Sequence, residues 1–309
     1  MKILNGYSKV RKKNTVLTIG NFDGVHKGHQ EIIKQTVKLS KKNNLKSVVI
    51  TFKPHPNDFF KKDSKPFKLT NEETKIEEIK KLGVDYLIFM KFDKNLNKLL
   101  PENFVKKLIN FRPKFIVVGY NFHFGYRRKG DVHLLKKLSK KYLYTLKIIK
   151  PVIGKNKRIF NSTFIRKKLE SGQYNIAKEM LGRNWLLEGK IVKGSGRGRE
   201  LGYPTANFVL SDYVLPMKGV YVTKSFFEKN KKKKHFGIAN IGNRPTFNEK
   251  KIFFENHFFN LKNFLYGKKI FVELLVFLRK EKKFANIKVL KKQIEKDILL
   301  AKKILNKNK

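Results

Sequence analysis

Two histidines, separated by one residue and a glycine, form a pair that can act on a phosphate group. His26 and His29 stand in the pattern His-Lys-Gly-His, which a chain with 7 histidines and 20 glycines contains by chance about 0.01 times. Imidazole gains or loses a proton near neutral pH, so the pair suits the charge on a transferred phosphoryl group. Gly28 lets the backbone approach a ligand closely. The alternative is a pair of polar loop histidines that cap a helix.

A second polar group lies far along the chain and has the composition of an anion site. Ser162, Thr163 and Arg166 share one predicted helical turn. Two hydroxyls and a guanidinium at a helix N-terminus can bind triphosphate oxygens. Ordinary capping beside a solvated arginine is the alternative, so the group gains meaning only as a partner of His26 and His29. No Gly-Lys pair precedes Ser or Thr, which argues against a P-loop.

A glycine-rich segment in the second half of the chain is the third candidate site. Three of its glycines can wrap phosphates with backbone N–H groups: Gly194, Gly196 and Gly198. Thr205 and Asn207 follow, two residues apart on a predicted strand, so they project to the same side. A hydroxyl and an amide oxygen are hard ligands that suit Mg²⁺. A glycine-rich hairpin that enters an ordinary strand remains the alternative.

The elements that must position the histidine pair alternate between strand and helix. The predicted strands are 15–19, 47–52, 84–90, 115–118 and 142–149, and the predicted helices are 30–42, 71–82, 101–109 and 132–141. This order indicates an α/β domain with a parallel, doubly wound sheet. In such sheets phosphates bind at the turn after the first strand, where residues 20–29 lie.

The second half of the chain has a different pattern of predicted elements, which are mainly strands. Two short predicted helices, 162–172 and 175–181, precede a series of strands. The predicted strands are 186–192, 206–210, 220–227, 235–241, 252–259 and 270–278. A final helix places apolar residues from 287 to 305 on one face. The prediction is a small β-barrel closed by one helix, with domains 1–184 and 185–309.

The spacing Gly-x-Phe-Asp-x-x-His-x-Gly-His over residues 20–29, with Ser-Thr-x-x-Arg at 162–166, resembles the nucleotidylyltransferase superfamily. Its members join a nucleoside monophosphate to an acceptor phosphate and release pyrophosphate. The resemblance implies a Rossmann-like domain. It also implies that ATP meets one phosphate-binding set: Gly20, Asn21, Phe22, His26, His29, Ser162, Thr163 and Arg166.

Two further segments resemble, more narrowly, the FAD synthetase module of bacterial flavin enzymes. They are 51–56, Thr-Phe-Lys-Pro-His-Pro, and 118–125, Val-Gly-Tyr-Asn-Phe-His-Phe-Gly. Such loops suit the stacking of a planar ligand, although tight turns with aromatic packing use the same residues. The resemblance implies a flavin site with His55, Pro56, Asn121, Phe124 and Arg128. Asn121 and Asn161 stand where the family commonly has Asp and Ser, which changes the charge or the donors.

The barrel half resembles riboflavin kinases. Four segments carry the likeness: 194–207, which ends in Pro-Thr-Ala-Asn, then 219–221, 237–246 and 254–257. The last of them is Phe-Glu-Asn-His, and the resemblance gives its glutamate, Glu255, the role of catalytic base. It also implies a six-stranded antiparallel barrel with Thr205 and Asn207 at a magnesium–ATP site.

Both motif sets occur in the order of the bacterial bifunctional riboflavin kinases/FAD synthetases, over residues 15–300. The resemblance implies two transferase reactions with ATP as co-substrate and Mg²⁺ as cofactor. Riboflavin is phosphorylated to FMN, and FMN is then adenylylated to FAD with release of pyrophosphate. The alternatives are a nucleotidylyltransferase with another acceptor and a basic nucleic-acid-binding protein.

The composition limits the chemistry, the partners and the location that are expected for the protein. The formal net charge is +48, but the lysines are dispersed along the chain, which is typical of a solvated surface rather than of a nucleic-acid site. The chain has no cysteine, which excludes disulfides and thiolate chemistry. No apolar run approaches membrane-spanning length, and the N-terminus lacks a secretory signal. We therefore expect a cytoplasmic protein without membrane or specific nucleic-acid partners, as a monomer or weak homo-oligomer.

Overall fold

A computed structural model describes most of the chain. The described ranges are 1–4, 14–60, 65–154, 158–194, 196–210, 212–227, 233–243, 252–261 and 266–307. Part of the kinase-like segment 237–246, from residue 244 onward, lies outside the described residues. The chain forms two compact units, residues 1–65 with 72–162 and residues 66–71 with 163–309. The sequence places the domain boundary at residue 184, and fragment experiments are needed to test that prediction.

The first unit is built on a parallel sheet with the strand order β1-β4-β3-β2-β5-β6. Its strands are β1 (Lys2–Leu4), β2 (Thr15–Ile19), β3 (Lys46–Lys53), β4 (Tyr86–Lys91), β5 (Pro113–Gly119) and β6 (Thr145–Ile149). Every residue of β2 is buried because both faces of a doubly wound sheet are covered by helices. The predicted α/β fold is confirmed, and β1 is a strand that the sequence did not predict.

Helices connect these strands. They are α1 (Lys27–Lys42), α2 (Pro56–Phe60), α3 (Glu72–Lys80), α4 (Lys94–Asn97), α5 (Pro101–Ile109) and α6 (Val132–Tyr142), with a 3₁₀ turn at Tyr126–Arg128. From β2 the chain continues to β3 on one side of the sheet, whereas β5 pairs with β2 on the other. Ligands of open α/β sheets bind at such a reversal, beyond the carboxyl ends of the strands. The loops after β2 and β5 therefore form the expected site.

The second unit contains an antiparallel sheet with the order β7-β12-β9-β10-β11-β8. Apart from Ser162, which belongs to the first unit, its elements are α7 (Ser162–Glu170), α8 (Tyr174–Leu181), β7 (Leu186–Lys190), α9 (Arg197–Glu200), β8 (Thr205–Val209), β9 (Gly219–Phe226), β10 (His235–Asn243), β11 (Ile252–Phe258), β12 (Lys269–Lys280) and α10 (Ile287–Asn306). The N–H of Val192, just beyond β7, donates to the carbonyl of Asn207 in β8 at 2.8 Å. The six strands thus form a nearly closed barrel, as predicted.

Helix α10 closes the barrel on one side. Ala301 is fully buried and packs with Val220, Val222 and Ile238 of the sheet. The C-terminal helix predicted from its apolar face is therefore confirmed. Within the described residues, no helix has the length and apolar character needed to cross a membrane.

Candidate active sites

The loop after β2 has an unusual backbone. Phe22 and Val25 adopt φ angles of 47° and 39°, in the left-handed region that bulky and β-branched residues rarely enter. Both side chains are buried in the core beside α1, which offsets the strain. The N–H of Gly20 donates to the carbonyl of Ile50 at 3.1 Å and ties the start of the loop to β3. Gly20, Asn21 and Phe22, predicted to bind ATP, thus lie at the carboxyl end of β2.

The predicted histidine pair comes together at the entrance of α1. Nδ1 of His26 accepts a hydrogen bond of 3.3 Å from the backbone N–H of His29, so His26 caps the helix. The two rings stack with their centroids 3.6 Å apart. A Cβ on Gly28 would lie 3.0 Å from the His26 ring and 3.2 Å from the carbonyl of Phe160, so a larger residue would crowd this contact. The cap engages Nδ1, and Nε2 then carries the proton and can donate to a phosphate oxygen.

The other members of the predicted phosphate set are divided between the units. Ser162 belongs to the first unit, and its hydroxyl donates to the carbonyl of Asp23 at 3.0 Å. Thr163 and Arg166 belong to the second unit. There the Nε of Arg166 donates to the carbonyl of Phe67 at 2.7 Å. Ser162 therefore joins the loop after β2, while the roles of Thr163 and Arg166 stay predictions.

The residues predicted for the flavin end lie after β3 and β5. Nδ1 of His55 accepts from the N–H of Asn57 at 3.1 Å, and Pro56 is the first residue of α2. Asn121 follows β5, and Arg128 has a φ of 58° in the 3₁₀ turn.

Phe124 is placed differently from the other predicted flavin residues. It is 5% exposed and packs in the core, with its ring centroid 5.5 Å from that of Phe104. A Cβ on Gly130 would lie 2.7 Å from the Phe124 ring, so a glycine there makes room for this packing. The position of Phe124 fits the alternative interpretation of this loop, which is aromatic packing in a turn. Its role in flavin binding stays a prediction.

The barrel carries a cleft of about 1170 Å³. Five residues that the sequence assigned to the kinase site line it: Gly196, Gly198, Thr205, Asn207 and Glu255. Gly194, also predicted, is not among the described residues that line this cleft. A Cβ on Gly198 would lie 2.7 Å from the carbonyl of Tyr203, because the segment folds back closely on itself. The glycine-rich segment therefore forms one wall of the cleft.

The strand register brings the predicted kinase residues together. Glu255 lies directly opposite Asn207 across β11 and β8, and Asn240 lies opposite Glu255 on β10. Directly opposed residues have Cβ atoms roughly 5 Å apart, so their side chains can share a ligand. Nδ2 of Asn207 lies 3.4 Å from Oγ1 of Thr205. Hydroxyl, amide and carboxylate oxygens gather on one face, and these hard ligands fit Mg²⁺ bound to nucleotide phosphates.

The cleft has two further polar features that sequence reasoning missed. Nδ1 of His257 lies 3.0 Å from the carbonyl of Pro204. Burial lowers the pKa of His257, and this hydrogen bond opposes the shift only in part. Arg279 makes a bidentate contact with Asp297 of α10, with a shortest N–O distance of 2.7 Å. This pair ties β12 to α10 at the edge of the cleft.

Comparison with known proteins matches each half of the chain to a family model. A family model for FAD synthetase matches residues 8–163, and one for riboflavin kinase matches residues 181–305. The bifunctional riboflavin kinase/FMN adenylyltransferase of Buchnera aphidicola subsp. Acyrthosiphon pisum is 36% identical over 100% of both chains. The protein of the same description from Escherichia coli K12 is 35% identical, over 100% of this chain and 99% of its own.

A solved structure supports the same fold over nearly the whole chain. The crystal structure described as a macrolide-efflux protein from Streptococcus pneumoniae has a TM-score of 0.82 and 28% sequence identity, and the match covers 96% of each chain. Both family models occur in the order that the sequence motifs predicted, and the relatives match from end to end. The chain therefore belongs to the family of bifunctional riboflavin kinases/FMN adenylyltransferases.

Proposed function

We propose that the second unit phosphorylates riboflavin to FMN and that the first unit adenylylates FMN to FAD, each with one ATP. The observation that carries the kinase half is the opposition of Glu255 and Asn207 across β11 and β8, inside the cleft. The observation that carries the transferase half is the stacked pair of His26 and His29 at the carboxyl end of β2.

In the kinase step, the carboxylate of Glu255 takes the proton of the riboflavin 5′-hydroxyl. The hydroxyl oxygen then attacks the γ-phosphorus of ATP, the bond to the bridging oxygen breaks, and ADP leaves. Thr205 and Asn207 would hold Mg²⁺, and the bound ion would supply positive charge next to the phosphates. The amides of the segment that carries Gly196 and Gly198 wrap the phosphates. Most of the rate therefore comes from positioning and electrostatics.

In the transferase step, an oxygen of the FMN phosphate attacks the α-phosphorus of ATP. The bond to the β-phosphate breaks and pyrophosphate leaves. No base is needed, because the attacking FMN phosphate is already ionised. His26 and His29 donate to the oxygens that gain charge, and the N-terminus of α1 adds its dipole. The Ser162 hydroxyl lies at the loop after β2, and Thr163 and Arg166 stay predicted triphosphate ligands.

One incubation tests both reactions. The protein is mixed with riboflavin, excess ATP and Mg²⁺, and the flavins are separated by chromatography over time. We expect FMN to rise first and FAD to follow, with one pyrophosphate for each FAD. Formation of FMN without FAD would contradict the proposed adenylylation of FMN. FAD from supplied FMN, but no FMN from riboflavin, would remove the kinase half.

A second set of acceptors tests the alternative chemistry. Nicotinamide mononucleotide and phosphopantetheine are supplied with ATP in place of FMN, and pyrophosphate release is measured. We expect little release, since the loops after β3 and β5 carry the motifs of a flavin site. Action in the cytoplasm, a monomeric or weakly associated state and the lack of a specific nucleic-acid partner remain parts of the proposal.

A further inference from the structure

A lysine that the proposed mechanism does not use lies beside the loop after β2. Lys75, on α3, is 7% exposed, although lysine is rarely buried to this degree without a specific partner. Its Nζ donates to the carbonyl oxygen of Asn21 at 2.9 Å. Removing an ammonium group from water is costly. A buried cation against the backbone of a phosphate-binding loop is therefore a candidate for a functional role.

The carbonyl of Asn21 is held from two sides. The hydroxyl of Thr51, at the end of β3, donates to the same oxygen at 3.1 Å. A carbonyl oxygen has two lone pairs, so these two donors engage both. Lys75 lies 54 residues from Asn21 along the chain, and Thr51 lies 30 residues away. One peptide group of the loop is thus fixed by two separate elements of the first unit.

Anchoring this oxygen also fixes a donor. The carbonyl of Asn21 and the N–H of Phe22 belong to one planar, trans peptide unit, so they point in opposite directions. Holding the oxygen towards Lys75 turns the N–H of Phe22 to the side away from Lys75. Phe22 is also the residue whose φ of 47° starts the unusual path of the loop. The Lys75 ammonium, together with the Thr51 hydroxyl, thereby sets the orientation of a backbone donor.

We propose that Lys75 is a positioning residue for adenylyl transfer. Its ammonium group holds the carbonyl of Asn21 and so orients the N–H of Phe22, and the loop that leads to His26, for the phosphates of ATP. This inference rests on the proposed adenylyltransferase function of the first unit. It assigns Lys75 no contact with the substrate and no proton transfer.

The test compares Lys75→Met with Lys80→Met, since Lys80 is an exposed lysine at the end of the same helix. In Lys75→Met we expect kcat/KM for ATP in FAD synthesis from FMN to fall roughly 10- to 100-fold, as small misplacements of reacting groups do. Riboflavin phosphorylation by the same protein should change less than about twofold, and Lys80→Met should alter neither activity. Thr51→Val, which removes the second donor but no charge, should lower FAD synthesis by a smaller factor.

Hydrogen–deuterium exchange separates positioning from folding. We expect Lys75→Met to speed exchange at residues 20–26, with protection of β2, β3 and α1 unchanged from Lys80→Met. FAD synthesis within twofold of wild type would overturn the proposal, and so would loss of protection throughout the first unit. Absence of FAD synthesis in both wild type and Lys80→Met would refute the proposed function instead. The exchange result would then decide by itself whether Lys75 holds the loop.

Discussion

The proposed kinase mechanism depends on Glu255 as its base. A primary alcohol is a poor nucleophile at neutral pH, so removal of its proton should assist attack on the γ-phosphate. General-base assistance contributes roughly 10²–10⁴-fold. We therefore expect Glu255→Gln to lower kcat for FMN formation by a factor in that range with little change in KM. FAD synthesis from supplied FMN, measured in the same preparation, should continue.

The matched control for this variant is Glu170→Gln, which alters an exposed carboxylate at the end of α7. It should leave both activities near wild type. A Glu255→Gln protein with normal kinase turnover would show that Glu255 is not the base. The opposition of Glu255 and Asn207 would then serve metal or substrate binding alone.

The histidine pair makes the converse prediction for the first unit. His26→Ala removes the helix cap and the proposed phosphate donor, and His29→Ala removes the ring that stacks on His26. Loss of one preorganised donor costs about 10²–10³-fold in kcat, so FAD synthesis should fall by that order. Riboflavin phosphorylation should stay near wild type. His133→Ala, at an exposed position of α6, is the control, and equal loss of both activities in His26→Ala would contradict two separate sites.

At the scale of elements, Asp85 joins the start of β4 to the start of β3. Its carboxylate accepts hydrogen bonds from the N–H and hydroxyl of Ser47, at 2.9 and 2.8 Å. Burial raises the pKa of Asp85, but the bonds from Ser47 and the charge of Lys46 outweigh it, and the pKa is lowered overall. The folded state then binds fewer protons than the unfolded state between the two pKa values. The Asp85 carboxylate therefore contributes to the free energy of unfolding above about pH 4, and this contribution is lost as pH falls through its folded pKa.

Asp85→Asn should therefore reduce the free energy of unfolding at pH 7 by about 1 kcal/mol, allowing for the solvent screening of a partly exposed carboxylate. The difference from wild type should shrink as pH falls below about 4 and through the lowered folded pKa of Asp85, because the protonated carboxyl of wild type and the amide of the variant are then both neutral. Denaturant unfolding followed by circular dichroism at several pH values measures it. A difference that stays constant with pH would contradict the electrostatic origin.

At the scale of the whole molecule, two fragments test where the kinase domain begins. The sequence predicts that residues 185–309 fold alone and phosphorylate riboflavin. In the structure, α8 also contacts the start of the barrel, since the N–H of Trp185 donates to the Tyr174 hydroxyl at 2.8 Å. The N–H of Met217 donates to the carbonyl of Leu169 in α7 at 3.0 Å. Residues 163–309 should therefore be the more stable fragment, with a Tm higher by roughly 5–10 °C.

Both fragments are expected to form FMN but no FAD, because neither contains His26 and His29. Thermal unfolding and flavin chromatography give the two readouts. Equal Tm values would show that α7 and α8 do not stabilise the barrel. An unfolded longer fragment would contradict an autonomous kinase domain at either boundary.

The sequence by itself determined the order and type of most elements. Strand 15–19 and helix 101–109 have the bounds that their periodicity predicted, and the two motif sets identified both candidate sites. These features are local, because a strand, a helix or a glycine-rich turn is set by residues that are neighbours in the chain. That Thr205 and Asn207 share one face follows the same logic, since alternation places residues two apart on the same side of a strand. Their pairing with the Glu255 strand is a tertiary contact.

Only the tertiary structure decided which residues contact one another across the chain. Lys2–Leu4 is too short to carry a pattern and becomes a strand by pairing with β4. Phe124, whose role in flavin binding stays a prediction, is buried in the core, and Lys75, one of many dispersed lysines, is buried against the loop after β2. Burial depends on packing between elements far apart in sequence, and periodicity within one segment contains no information about the partner that covers it.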